Sequence, residues 1–142
     1  MYLIDTNVLS ELRPGKPQAS PRVLAWAATV PQSQIFLSAI TVLEQELGIL
    51  QLERRVPPQG SALRAWWDRT RRGFGDRILA LDAQAALKCA AMHVPDPKSY
   101  RNSMIAAIAL THGFTLVTRN VADFERTGVK VIDPWTIATS AP

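Results

Sequence analysis

The chain has 142 residues, a length that fits one compact domain and is too short to fill two independent cores. Apolar residues make up 47% of it and charged residues 20%, a balance that is ordinary for a folded protein and does not favour disorder in the body of the chain. The net charge of +4 favours a polyanionic partner, and the single cysteine, Cys89, excludes an internal disulfide and a Cys-rich zinc site.

The first half of the chain alternates between short apolar runs and helical patterns. Tyr2–Ile4 is predicted to be a strand, and Pro21–Ala28 a helix with proline at its first position. A second strand is expected at Gln34–Ser38, and Thr41–Glu53 is expected to be a helix because its apolar residues recur with a period close to 3.6. Gln59–Gly73 follows as a basic, amphipathic helix.

The second half continues the alternation and ends on a strand. Arg77–Leu81 is predicted to be a strand, and Ala83–Met92 a helix that ends before a Pro-Asp-Pro breaker. Ser99–Thr111 is expected to be a helix, followed by strands at Phe114–Thr118 and Val129–Ile132. Strands separated by helices predict an α/β fold, with a parallel sheet of four or five strands and helices on both faces. Residues 1–136 are assigned to this single domain and residues 137–142 to a flexible tail.

Polar side chains gather where the predicted strands end and where two of the helices begin. They are Asp5, Thr6, Asn7, Glu44, Asn102, Asn120 and Asp123. Ligands of parallel sheets bind beyond the carboxyl ends of the strands, so these residues are expected at one edge of the sheet. Clustered carboxylates repel each other unless a proton or a cation lies between them, and oxygen ligands suit Mg²⁺ or Mn²⁺. Such an ion would polarise a phosphodiester and lower the pKa of an attacking water.

Each of these residues also has a purely structural interpretation. Asp5 and the two residues after it suit a helix N-cap, and Glu44 could form a capping box with Thr41. Asn102 could be satisfied at its own helix start, and Asp123 could close a turn. The structural interpretation is favoured for each residue taken singly, whereas their joint placement at one edge favours a site.

A run of arginines supports a nucleic-acid partner. The run consists of Arg54, Arg55, Arg64, Arg69, Arg71, Arg72 and Arg77. Cations placed beside phosphates release counterions, which would favour binding to a nucleic acid. The alternative is that these arginines only form a solvated helix face. Trp66 and Trp67 lie on different faces of the same predicted helix, so either one of them contacts a partner or an antitoxin groove, or both pack into the core or at its edge.

Several other functions lose support because their motifs are missing. There is no Gly-x-Gly-x-x-Gly turn, no Gly-x-x-x-x-Gly-Lys phosphate loop and no Gly-x-Ser-x-Gly elbow. His93 and His112 lie beside helix-ending residues and lack the spacing of metal ligands. No stretch is long and apolar enough to span a membrane, and no basic region precedes an apolar one at the N-terminus. We therefore expect a cytoplasmic protein with no membrane partner.

Four stretches together resemble the PIN-domain toxins of the VapC and FitB type, in the same order along the chain. They are Met1–Leu12, Leu37–Glu44 with Gly48 after it, Met104–Gly113, and Leu116–Phe124. The resemblance implies a PIN fold, an Mg²⁺- or Mn²⁺-dependent ribonuclease activity and a homodimer. It also implies inhibition by a small VapB- or FitA-like antitoxin, through which alone the pair would bind operator DNA.

The resemblance further implies a role for individual residues. Catalytic roles fall to Asp5, Glu44, Asn102, Asn120 and Asp123, and all of these except Asn120 are expected to ligate the metal. Roles in ordering water or metal fall to Thr6, Asn7 and Thr118. The arginines expected to guide the RNA backbone are Arg54, Arg55, Arg69, Arg71, Arg72 and Arg119.

Asn102 departs from the family pattern, because an aspartate normally stands at its position. Its amide oxygen can still ligate a metal, but it adds no charge and cannot act as a base, so metal binding and activity are both expected to fall. Either the chain is a naturally weakened member or the aspartate was deliberately changed, and the otherwise intact motif favours the second. A non-catalytic PIN-like regulator that binds RNA or an antitoxin is the alternative. A phosphatase that uses Asp5 as nucleophile is disfavoured, since Asn7 replaces its second aspartate.

Overall fold

The computed structural model describes residues 1–137, and a five-stranded parallel sheet forms its centre. The strands are β1 (Tyr2–Ile4), β2 (Ile35–Ser38), β3 (Ile78–Leu79), β4 (Thr115–Val117) and β5 (Val131–Ile132). Their order across the sheet is β3-β2-β1-β4-β5, and every neighbouring pair is parallel. Residues 138–142 of the predicted tail lie outside the described residues.

The helices connect consecutive strands and cover the sheet. They are α1 (Thr6–Glu11), α2 (Pro21–Thr29), α3 (Ala39–Arg55), α4 (Pro57–Phe74), α5 (Ala83–Met92) and α6 (Tyr100–His112). Short 3-10 turns lie at Gln32–Gln34, Gly75–Arg77 and Val121–Phe124. α1 is not among the predicted helices, because six residues are too few to show a helical period. Within residues 1–137, no helix is both long and apolar enough to cross a membrane.

Two apolar cores lie on opposite faces of the sheet, because successive strand residues point to opposite sides. Leu3 of β1 packs with α5 and α6, together with the buried Cys89. Ile4, the next residue, packs with the first four helices around the fully buried Trp67. Trp66 is half-buried against the same core, which fits its predicted place at the core edge. The arrangement confirms an α/β fold with helices on both faces.

The strand order places a crevice beside β1. β2 and β3 lie on one side of β1, and the chain then crosses to β4 on the other side. Ligand sites of open α/β sheets form outside the carboxyl ends of the strands at such a reversal. Asp5 directly follows β1 and Thr118 directly follows β4, so both lie at this point.

Candidate functional site

Asp5 lies at the centre of the site, and its side chain is fully buried. Its Oδ1 accepts hydrogen bonds from the backbone N–H of Thr6 at 2.7 Å and from Nη2 of Arg101 at 2.6 Å. Its Oδ2 accepts a hydrogen bond from the Thr118 hydroxyl at 2.8 Å. Burying a carboxylate is costly unless it is paired and hydrogen-bonded, and these three donors meet that need. Asp5 is therefore the N-cap of α1 and part of a polar cluster at once.

Glu44 reaches the same cluster from the second turn of α3. Its Oε1 accepts hydrogen bonds from the Thr6 hydroxyl at 2.7 Å and from Nη2 of Arg101 at 2.8 Å, and its Oε2 accepts one from Nε of Arg101 at 2.9 Å. Burial alone raises the pKa of Glu44, but the hydrogen bonds from Arg101 and Thr6 outweigh it and hold the pKa below its ordinary value. The capping box with Thr41 is not formed, because the Ser38 hydroxyl caps α3 and accepts from the Thr41 N–H.

Arg101, in the first turn of α6, joins the two carboxylates and is not among the residues that the sequence predicts for the site. Its guanidinium binds Glu44 through Nε and Nη2, and it binds Asp5 through Nη2 with a longer contact of 3.4 Å from Nη1. Burial alone lowers the pKa of Arg101, but the hydrogen bonds to Glu44 and Asp5 raise it by more than burial lowers it. The pKa therefore lies above its ordinary value, and the side chain stays protonated. The sequence gives only a weak indication that Arg101 belongs to the site, because this residue lies outside the arginine run. Only its place beside Asn102 at a helix start could have pointed to it.

Thr118 is fully buried, and it is the first residue of the loop that follows β4. Besides donating to Asp5, its hydroxyl accepts hydrogen bonds from the Asn7 side-chain amide at 3.3 Å and from the Asn120 N–H at 3.1 Å. Asn120 thus reaches the cluster through its backbone. Thr6 and Thr118 thus donate hydrogen bonds to the carboxylates, and Asn7 is joined to them through Thr118.

Asn102 contacts the cluster, whereas Asp123 lies at its rim. Oδ1 of Asn102 accepts a hydrogen bond from Nη1 of Arg101 at 3.0 Å. Asp123 is exposed on the 3-10 turn after β4 and lines, with Asn102, a cavity of about 370 Å³. Among residues 1–137, no hydrogen bond or ion pair joins Asp123 to Asp5 or Glu44. The structure therefore brings Asp5, Glu44 and Asn102 to one point and leaves Asp123 at its margin.

The donor set fits a hard divalent cation in its chemistry. Asp5, Glu44 and Asn102 each place an oxygen within 3.0 Å of a single cationic group, and Mg²⁺ and Mn²⁺ prefer oxygen ligands of this kind. The negative charge of this ligand set is lower than that of three carboxylates, because the Asn102 amide is neutral. In the described part of the chain, no group of three or more His, Cys, Asp or Glu side chains is placed to hold a metal.

Several residues of the arginine run have structural roles. Arg64 pairs with Glu46 at 2.7 Å and with Glu53 at 3.0 Å, which ties α4 to α3. Arg77 donates to backbone carbonyls, including that of Ile35 at 2.6 Å. Arg71 pairs with Asp68 at 3.3 Å.

The remaining arginines of the run are exposed on α3 and α4. They are Arg54, Arg55, Arg69 and Arg72. Arg54 and Arg55 lie at the end of α3, about 15 Å along the helix axis from Glu44 at 1.5 Å per residue.

Other cations lie closer to the cluster. Arg119 directly follows Thr118, is exposed, and stacks over the ring of Trp135 at 5.2 Å. Arg13 and Lys16 line a cavity of about 270 Å³ that Glu44 also lines. These two residues are not among those that the sequence predicts, because they lie far from the arginine run in the chain.

The sequence and the fold both match known proteins. The sequence model of the PIN domain matches residues 2–130. The VapC ribonuclease Y4jK of Sinorhizobium fredii is 31% identical over 144 residues, which cover 95% of this chain and 98% of the relative. Toxin FitB of Neisseria gonorrhoeae is 33% identical over 144 residues, which cover 95% of this chain and 99% of the relative.

A solved structure carries the same architecture. The structure of FitAB bound to a DNA fragment superposes on 99% of this chain and 100% of the matched chain, with a TM-score of 0.87 and 31% sequence identity. The match extends over both cores and all the elements that position the site. The chain belongs to the PIN-domain family and is a relative of the VapC and FitB toxins.

Proposed function

We propose that the chain is the toxin of a type II toxin–antitoxin pair and acts as an Mg²⁺- or Mn²⁺-dependent endoribonuclease. The observation that carries this proposal is the convergence of the Asp5 and Glu44 carboxylates, from β1 and α3, on one positive charge. Isolated carboxylates do not gather at the edge of a sheet unless a cation compensates them. The names of the relatives, a VapC ribonuclease and toxin FitB, support the same activity.

In this proposal the chain's own groups hold and orient the cation and the RNA. Asp5, Glu44 and the amide oxygen of Asn102 would hold the ion, which when bound supplies a Lewis acid for hydrolysis of a phosphodiester. The Thr118 hydroxyl and the Thr6 N–H fix the orientation of Asp5, and the Thr6 hydroxyl fixes that of Glu44. The carboxylates are thus oriented before RNA arrives, which removes the need to reorganise them during the reaction.

The rim residues would complete the site on the substrate side. Asp123 and Asn120 are exposed at the crevice and would orient water or contact RNA. Arg119 lies beside them and would bind a phosphate, whereas the more distant arginines of α3 and α4 would act by steering.

The proposed partner is a VapB- or FitA-like antitoxin, and operator DNA would be bound only through it. The solved FitAB structure bound to a DNA fragment supports this assembly, since its matched chain is so similar to this one. A cytoplasmic location follows from an RNA substrate and a DNA-bound partner.

A homodimer is part of the same proposal. Leu43, Leu47 and Leu50 lie four and three residues apart on α3 and are exposed by 64%, 52% and 51%. This spacing puts them on one helix face, and a contiguous apolar face in water favours self-association. Leu47→Glu should therefore convert a dimer to a monomer in light scattering, whereas a monomeric parent chain would contradict the proposal.

A non-catalytic PIN-like regulator is the second candidate, and Asn102 favours it. The amide leaves only two carboxylates in the cluster, so the chain could bind RNA or an antitoxin without cutting. The gene's own codon at this position decides whether the amide is natural or a deliberate change from aspartate.

Cleavage of total cellular RNA in the presence of Mn²⁺ tests the two candidates. The parent chain, Asn102→Asp, and Asn102→Asp combined with Asp5→Ala are compared, with a chelator control. We expect Asn102→Asp to cleave at least about tenfold faster than the parent, because a carboxylate restores ligand charge. Loss of that activity with Asp5→Ala, but not with the exposed Asp76→Ala, would support the site. Cleavage that persists without Asp5 would overturn it, and no cleavage by any variant would favour the regulator.

A further inference from the structure

Arg101 contacts every oxygen ligand that the structure offers to a metal. Nη2 lies 2.6 Å from Oδ1 of Asp5 and 2.8 Å from Oε1 of Glu44, Nε lies 2.9 Å from Oε2 of Glu44, and Nη1 lies 3.0 Å from Oδ1 of Asn102. The paired contact with Glu44 is the two-point arrangement that makes arginine–carboxylate pairs strong. The guanidinium is therefore centred on the cluster.

The guanidinium has no donor left for RNA in this arrangement. It carries five N–H groups, and besides the four contacts above Nη1 lies 3.4 Å from Oδ2 of Asp5. An arginine that serves to bind a phosphate keeps N–H groups directed outward. Arg101 instead offsets one of the two carboxylate charges, which leaves the cluster with a net charge of −1.

A divalent cation and the guanidinium need the same oxygen lone pairs. Each carboxylate oxygen has two lone pairs, and both oxygens of Asp5 and Oε1 of Glu44 already accept two hydrogen bonds, one of them from Arg101 in each case. A cation that needs its ligands at about 2.0–2.1 Å therefore reaches these three oxygens only where an N–H group of Arg101 leaves. The Arg101 side chain is 31% exposed, so it is open to solvent on one side, and we expect the guanidinium to leave the carboxylates in that direction.

We infer that Arg101 competes with the divalent cation for Asp5 and Glu44, so that the chain's own arginine sets the metal affinity of the site. The inference rests on the proposed metal-dependent function. It adds a residue that holds the site closed to metal until the arginine is displaced. The asparagine at 102 serves the same arrangement, because its amide oxygen accepts from Arg101 without adding charge that would attract the metal.

The test measures Mn²⁺ binding without RNA, by calorimetry and by electron paramagnetic resonance of free Mn²⁺. Arg101→Ala should bind Mn²⁺ at least about tenfold more tightly than the parent chain, since even one charge-assisted hydrogen bond that no longer has to break corresponds to that factor. Arg13→Ala removes a nearby cation that does not contact the two carboxylates, and should change the affinity by less than about threefold.

Thermal unfolding supplies a second measurement that does not depend on RNA cleavage. Without metal, Arg101→Ala should melt below the parent chain because the buried Asp5 has lost its cation; saturating Mn²⁺ should raise the Tm of the variant more than that of the parent. Arg101→Gln keeps polar contacts but loses the charge, and it replaces Arg101→Ala in both measurements if that variant does not fold.

The outcomes separate this inference from the ribonuclease proposal. Tight Mn²⁺ binding by Arg101→Ala, with no RNA cleavage by this variant or by its combination with Asn102→Asp, would uphold the competition and remove the ribonuclease proposal. An unchanged or weaker Mn²⁺ affinity in both Arg101 variants would overturn the competition, whatever the RNA assay gives. The same holds if neither the parent nor the variants bind Mn²⁺.

Discussion

The buried hydroxyl of Thr118 holds Asp5 in place, and Thr118→Val removes it while nearly preserving the shape of the side chain. The hydroxyl donates to Oδ2 of Asp5 at 2.8 Å and accepts from Asn7 and Asn120. Because Thr118 is fully buried, water cannot take over the bond to Asp5. The substitution leaves a buried carboxylate oxygen with only the 3.4 Å contact to Arg101.

The expected cost follows from the partners of this hydroxyl. A hydrogen bond to a charged group contributes about 1.5–3 kcal/mol, and the bond to Asp5 is of that kind. Asn7 is half-buried and Asn120 is exposed, so water can replace the hydroxyl as the acceptor for their N–H groups. The loss of these two hydrogen bonds together adds at most about 1 kcal/mol to the cost. We expect a loss of about 2–3 kcal/mol in the free energy of unfolding. At about 4 °C per kcal/mol for a chain of this size, the Tm should fall by roughly 10 °C.

Urea unfolding of Thr118→Val beside Thr118→Ser measures this loss. Serine keeps the hydroxyl and removes one methyl group, so it should cost only about 1 kcal/mol. The Mn²⁺ affinity should fall by about 10- to 100-fold in the valine variant and stay near the parent value in the serine variant, since the hydroxyl orients a metal ligand. A valine variant as stable as the parent, or more stable than the serine variant, would refute the role given to the hydroxyl.

Two further substitutions test the packing and the pH response of the fold. Gly60→Ala should lower the free energy of unfolding by about 1–3 kcal/mol, because the added Cβ would lie 2.5 Å from Cα of Glu53; Gly73→Ala, with nothing within 4 Å, should be neutral or stabilising by up to about 1 kcal/mol. Equal shifts in urea unfolding would contradict the close approach of α3 and α4. Glu11 accepts from Lys16 and from the Ser20 N–H at 2.7 Å, and the Lys16 hydrogen bond, followed by the smaller one from Ser20, holds its pKa below the ordinary value despite its burial. A lowered pKa contributes stability above the ordinary glutamate pKa of about 4.3 and loses it as the pH falls through the folded value. Glu11→Gln should therefore cost about 1–2 kcal/mol at pH 7 and progressively less in acid, and a difference that is constant with pH in chemical unfolding would contradict this.

The fold was predictable because its strands carry a strong local signal. A parallel strand covered on both faces reads as a continuous apolar run, and β1 and β4 do so. The strand ends were less predictable: Gln34 and Arg77 belong to 3-10 turns, and the strands are shorter than their apolar runs. Where a strand stops depends on pairing with neighbours that are distant in sequence, which a local pattern does not contain.

The site was predictable only where topology determines it. Asp5 follows a strand and Glu44 lies in the second turn of a helix that follows one, so the rule for strand ends placed both at one edge of the sheet. Arg101 lies 96 residues from Asp5 and 57 from Glu44 in the chain, and an arginine near a helix start has no pattern that indicates such contacts. Asp123 follows β4 closely, but the 3-10 turn that carries it directs it to the rim.

Arg101 and Asn102 act on the metal site through the same contact, and their effects should therefore not add. An aspartate at 102 would supply a third carboxylate for a cation, which raises metal affinity, and would also bind Nη1 of Arg101 more strongly, which lowers it. With Arg101 present the two effects oppose each other; in an Arg101→Ala background only the first remains. Asn102→Asp should thus raise the Mn²⁺ affinity by a larger factor in that background than in the parent chain. Equal factors in the two backgrounds would mean that Arg101 and residue 102 act independently, and the amide would then weaken the site only by its missing charge.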